Sequence, residues 1–162
     1  MKKDITKDLV LNACICAIYV VMTVAIPSFS YDYFQLRISE ALILLCFYNK
    51  KYSFGILSGC FIANLVGPFG IIDAIFGTLS TGLAVILMLK CKNAFVASLM
   101  PTLTVFIVAL EIAWLDGLMG MFWMIYASVA LGEFVVLSVI GLLIFKAIEK
   151  NKWLCEQLDF NK

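Results

Sequence analysis

Residues 9–26 form a run of 18 without a single charge, and Pro27 ends it. At ~1.5 Å per residue a helix of that length reaches about 27 Å, close to the hydrocarbon thickness of a bilayer. Lys2 and Lys3 precede the run, as basic residues precede a secretory signal. The stretch is long for a signal's apolar region and lacks a clear small-residue cleavage site, so a membrane span is the stronger reading.

Charges, prolines and glycines cut the rest of the chain into five further apolar segments. The second, residues 38–48, is short and opens beside Arg37 and Glu40. The third covers residues 52–66 and the fourth 72–89. The fifth, 94–114, contains Pro101, and the sixth, 119–148, is the longest. Of the whole chain 64% is apolar and 14% charged, with a mean hydropathy of +1.04. A soluble domain carries roughly 25% charged residues, so a particle of this size has no interior large enough for so much apolar surface. The expected fold is all-α: one integral membrane domain over residues 1–162, a bundle of six transmembrane helices, multi-pass in the cell membrane.

The basic residues give an orientation. Six spans place Lys2, Lys3, Lys7, Lys50, Lys51, Lys90, Lys92, Lys146, Lys150, Lys152 and Lys162 on one side, and only Arg37 on the other. The positive-inside rule makes the lysine side cytoplasmic, with both termini there. Dropping one span would scatter the lysines over both faces.

Several function classes are excluded by absence. The net charge of +1 and the lack of a basic block argue against a nucleic-acid partner. There is no histidine, which removes the usual general base and the usual metal ligand. No phosphate-binding G-x-x-x-x-G-K-[ST] loop occurs, and no G-x-G-D motif of an intramembrane aspartyl protease. Cys14, Cys16, Cys46, Cys60, Cys91 and Cys155 have no metal or redox spacing and read as small apolar fillers. No metal or cofactor is implied.

The acids are informative because lipid tolerates them poorly. Asp32, Glu40, Asp73, Glu111, Asp116 and Glu133 lie away from the lysine side. A charge at mid-membrane costs ~2.5–3.5 kcal/mol on insertion scales, so such residues should face an interior cavity and have partners. Arg37 alone cannot pair with all of them. With Trp114, Trp123 and Tyr126 for stacking, and Gln35, Asn64 and Thr78 for hydrogen bonding, the outer half reads as an acid-rich pocket. It would suit a small, flat solute rich in N–H groups. The blander readings are solvated loop charges for Asp32 and Asp116, and an interfacial belt for the aromatic residues.

Small residues recur every four positions at Gly55, Gly59 and Ala63, and again at Ala74, Thr78 and Gly82. Both stripes read as internal helix packing. Ala13 and Ala17, beside Asn12, form the same motif on the first span, and spacing leaves open whether that face packs inward or docks a partner.

The run Phe34-Gln35-Leu36-Arg37-Ile38-Ser39-Glu40-Ala41 resembles the Q-x-R-x-S-E-A signature of the QueT family. Gly59, Asn64, Gly67, Asp73, Phe76, Gly77 and Thr81, and the Gly132-Glu133 pair, are similar to that family's pattern too. The resemblance implies a substrate-binding S component of an energy-coupling factor (ECF) importer, associated with uptake of queuosine precursors. It implies a transmembrane coupling subunit and two ATPase subunits as partners, with Ala13 and Ala17 matching the Ala-x-x-x-Ala docking motif. The implied cargo is aminomethyl-deazaguanine or queuine. Glu40, Asp73, Glu111 and Glu133 are then its carboxylate candidates, Trp114, Trp123 or Tyr126 stack on it, Asn64 reads a ring carbonyl, and Arg37 pairs with an acid. Two alternatives stand beside this: an S component for another vitamin such as thiamine, and, in a different class, a small carboxylate-dependent intramembrane enzyme.

Overall fold

A computed structural model describes residues 5–25 and 36–160. Asp32 and Gln35 lie outside the described residues, as do Lys2, Lys3, Pro27, Phe34 and Lys162. Every regular element among the described residues is helical. We number them α1 (Ile5–Val24), α2 (Ile38–Tyr48), α3 (Ser53–Leu65), α4 (Ile71–Met88), α5 (Ala94–Leu115), α6 (Met119–Glu149) and α7 (Lys152–Gln157).

Four of these, α1, α4, α5 and α6, are long and apolar enough to cross a membrane. Their outward faces carry Val10, Ile18, Val21, Ile75, Leu79, Ile86, Leu103, Met124 and Leu143, all exposed. So much apolar surface belongs against lipid, and the protein is a multi-pass membrane protein. The two shorter segments are used differently. In α2 every residue from Leu44 to Tyr48 is buried, because the other helices surround it. It opens with a tighter 3₁₀ stretch, Ile38–Ile43, that carries Ser39 and Glu40 into the interior. α3 has 13 residues and packs along α1.

The packing of α1 on α3 explains the first small-residue stripe. A β-carbon on Gly55 would stand 2.6 Å from the Asn12 carbonyl oxygen, and one on Gly59 2.9 Å from Tyr19 Cβ. Asn12 closes the contact by accepting the Gly55 N–H at 2.8 Å. The second stripe behaves otherwise. Ala74, Thr78 and Gly82 line an open apolar groove with Leu57 and Phe61, while the close α3–α4 approach runs through Gly77, which meets the Asn64 amide.

Two helices depart from regular geometry. α5 contains Pro101 and breaks one turn later, at Val105. The Thr104 carbonyl at the break accepts the Ser80 hydroxyl at 2.8 Å, as a backbone group in lipid requires. α6 widens into a π-helix over Phe134–Gly141, immediately after Glu133.

The lysine-bearing segments gather at one end. Lys51, in the α2–α3 connection, pairs with Asp8 of α1 at 3.1 Å and with Asp159 near the C-terminus at 3.2 Å. The Asn49 amide and the Tyr52 hydroxyl donate to the carbonyls of Asp159 and Leu158, each at 2.7 Å. Lys90 and Lys92, between α4 and α5, line a cavity with Tyr48 and Glu149 at the same end.

Candidate functional site

The acids away from the lysine end form two groups. The first is built on the 3₁₀ entry to α2. There Arg37 and Glu40 are three residues apart, so a 3₁₀ turn stacks them on one face. Both are buried, and Arg37 Nε stands 3.4 Å from Glu40 Oε1. The Tyr19 hydroxyl of α1 donates to that same oxygen at 2.5 Å, and Arg37 Nη2 approaches the tyrosine oxygen at 3.4 Å. Below them the hydroxyls of Thr23 and Ser39 meet at 2.7 Å. From α6, Glu133 reaches the neighbourhood of both Glu40 and Arg37. It is 8% exposed, and its Oε2 has no hydrogen-bond partner among the described residues. Two carboxylates thus face one guanidinium.

The second group joins α4 to α5. Asp73 Oδ2 accepts the Phe69 N–H at 3.0 Å and so closes the connection that enters α4. That connection needs its glycines. Gly70 sits at φ 58°, and a β-carbon on Gly67 would collide with the Asp73 carboxylate. Glu111 of α5 stands beside Asp73. Glu111 is 1% exposed, and neither of its oxygens has a donor among the described residues. Its side chain also forms part of the wall of a cavity of about 250 Å³, with Phe76, Leu110, Trp114 and Met119.

The expected site residues therefore divide. Arg37, Glu40 and Glu133 come together, as do Asp73 and Glu111 with Trp114 at their rim. Asn64 is buried at the α3–α4 contact, its Nδ2 donating to Cys60 Sγ at 3.3 Å, while Cys60 also meets the Thr81 hydroxyl at 3.3 Å. Trp123 does not join the acids. It is 73% exposed on the outside of α6 and packs edge-on against Phe122 and Tyr126. Tyr126 belongs to the same aromatic group with Phe106, its hydroxyl 3.5 Å from the Thr102 carbonyl. Ala13 and Ala17 face outward from α1, opposite its buried residues Asn12, Ile15, Tyr19 and Thr23.

Tyr19 is the residue that reading along the sequence passes over. The signal was present: Asn12, Tyr19 and Thr23 are polar groups at helical spacing on one face of an otherwise apolar span, and polar groups inside a membrane seek each other.

The arrangement has the means to hold a cationic or N–H-rich solute, since Glu111 and Glu133 present acceptors that no protein donor satisfies. Comparison with known proteins agrees with a transport role. Residues 9–150 match the family model described as QueT transporter. The chain is 32% identical over 156 aligned positions to the queuosine precursor transporter QueT of Lactococcus lactis subsp. cremoris (strain MG1363), covering 86% of this chain and 90% of that relative. No solved structure matches the chain at a significant level. The family model spans most of the chain and the L. lactis relative is named as a transporter, so the chain belongs to the QueT transporter family.

Proposed function

We propose that the protein is the substrate-binding S component of an ECF-type importer and captures a queuosine precursor, aminomethyl-deazaguanine or queuine, on the outer side. The observation that carries this reading is the pair of buried acids, Glu111 and Glu133, whose carboxylates hold oxygens without a donor. A guanine-like edge offers adjacent N–H donors that a carboxylate takes two at a time, and an aminomethyl group adds a cation for a second acid. A phosphorylated or carboxylate solute would want basic groups, and Arg37 is already engaged with Glu40 and Tyr19. The relative from L. lactis, named for a queuosine precursor, supports the same cargo class.

In this reading Glu133 and Glu111 contact the ligand, Glu40 and Asp73 complete the two acid groups, and Trp114 and Asn64 border them. The six segments α1 to α6 are the spans, with the lysine end and both termini in the cytoplasm. The partners are a transmembrane coupling subunit and two ATPases, and the coupling subunit meets α1 at Ala13 and Ala17. The exposure of both alanines supports that placement.

The test is calorimetric titration of the detergent-purified protein with aminomethyl-deazaguanine, queuine, guanine and thiamine. Tight binding of a deazaguanine, without ATP or partner subunits, is the expected result. Folded protein that binds none of the deazaguanines would remove this cargo, and tight thiamine binding alone would replace it.

A further inference from the structure

Arg37 and Glu40 are buried neighbours of opposite charge, yet their ion pair at 3.4 Å is not the hydrogen-bonded fork such neighbours ordinarily form. A guanidinium beside a carboxylate closes into a two-pronged fork, each nitrogen donating to its own oxygen. Here Arg37 Nε stands 3.4 Å from Glu40 Oε1 without making a hydrogen bond. The Tyr19 hydroxyl occupies that oxygen instead, at 2.5 Å. The same hydroxyl offers its own lone pair to Arg37 Nη2 at 3.4 Å, so it stands between the two charges.

Tyr19 is not free to leave this position. It is fully buried, and a β-carbon on Gly59 would reach Tyr19 Cβ at 2.9 Å, so α3 closes directly over the base of its side chain. One turn further along α1, the Thr23 hydroxyl donates to the Tyr19 carbonyl at 2.9 Å and meets Ser39 at 2.7 Å. That second contact fixes the register of α1 against the 3₁₀ turn, so the tyrosine hydroxyl arrives opposite Glu40.

A glutamate closed in a fork with arginine gives up a lone pair on each oxygen and turns to face the guanidinium. One held at a single oxygen by a phenol keeps acceptor capacity for another donor. We propose that Tyr19 is a positioning residue of the ligand site: it keeps the Arg37–Glu40 ion pair from closing into a fork, so that the carboxylate stays turned toward an N–H-rich ligand. The inference rests on reading this cluster as the ligand site, and it adds a residue of the first helix to that site.

Tyr19→Phe keeps the ring in its slot and removes only the hydroxyl. The experiment titrates aminomethyl-deazaguanine into wild type, Tyr19→Phe, Glu40→Gln and the double variant, and records a thermal melt for each. Tyr19→Phe should weaken binding at least tenfold while its melting temperature holds or rises, because the Arg37–Glu40 fork can then close. In the Glu40→Gln background the same change should alter affinity less than about twofold, since there is no longer a carboxylate for Arg37 to fork. Wild-type affinity in Tyr19→Phe overturns the inference alone, as does a loss that multiplies with that of Glu40→Gln. A Tyr19→Phe protein that melts earlier or fails to fold also overturns it, by assigning the hydroxyl a purely structural role. A wild type that binds no deazaguanine removes the ligand reading itself, and this inference with it.

Discussion

The side-chain amide of Asn64 lies against the α-carbon of Gly77 so closely that no β-carbon fits between them. This contact brings α3 onto α4 beside both acid groups, so the spacing of the site depends on a missing side chain. Gly77→Ala should cost about 1–3 kcal/mol, the usual penalty for overpacking a close contact. Gly82→Ala, five residues along the same helix, would meet only Leu57 at 3.7 Å and should be nearly neutral. Thermal unfolding of the two variants in one detergent checks the contrast, and equal melting temperatures would dismiss it.

Glu111→Gln and Glu133→Gln should each lower affinity for a cationic deazaguanine by at least tenfold, about 1.4 kcal/mol, without loss of fold. Each replaces an acceptor oxygen with an amide NH2 on a buried group that has no donor, among the described residues, on the oxygens concerned. Asp73→Asn should differ in kind. Its Oδ2 accepts the Phe69 N–H, so the amide has to turn its oxygen to that position, and stability should fall along with affinity. Calorimetry paired with thermal melts separates the two behaviours. Unchanged binding in all three variants would eliminate these acids as the site.

Much of the fold was legible because punctuation in the sequence coincides with helix ends. The segments expected at 72–89, 94–114 and 119–148 emerge as Ile71–Met88, Ala94–Leu115 and Met119–Glu149. The charges and glycines between them cannot sit in lipid, and they leave little freedom. Facing was harder to read. In water a helix advertises its buried side by polarity, but in lipid both sides are apolar, and Trp123 and Tyr19 look alike in the sequence. One lies outside the bundle and the other at its centre. The 3₁₀ entry at Ile38–Ile43 and the π-helix at Phe134–Gly141 escaped for a related reason: they are set by contacts with other helices, and no local pattern encodes them. The acids were recognisable as a set, because charge in an apolar run is conspicuous. Their division into two groups required the packing of α2, α4, α5 and α6.

At the lysine end, Lys51 should contribute a small, pH-bounded stabilisation. Burial works against its charge, but Asp8 and Asp159 outweigh that and raise the ammonium above its ordinary value. A group whose folded value is raised stabilises fully below its unfolded value, about 10.4, and loses that contribution as pH rises through the folded one. Lys51→Gln should therefore lower stability by no more than about 1 kcal/mol at neutral pH, with the difference from wild type fading only in strongly alkaline buffer. Melting curves of both proteins at neutral pH and above pH ~11 test the sign. A difference that widened with alkalinity would contradict it.

The outward face of α1 carries small residues. Ala13 and Ala17 are exposed, one turn apart, while the buried residues of the same helix hold α3 and the Glu40 cluster. A bulky residue there should leave the ligand site intact and obstruct only a partner that packs closely against the two alanines. Ala13→Trp and Ala17→Trp should bind a deazaguanine within about twofold of wild type, yet fail to co-purify with the proposed coupling subunit and fail to support uptake in cells. Retained co-purification would move the docking surface elsewhere. Loss of ligand affinity would mean instead that α1 transmits a disturbance of its outer face to Tyr19 and the acids behind it.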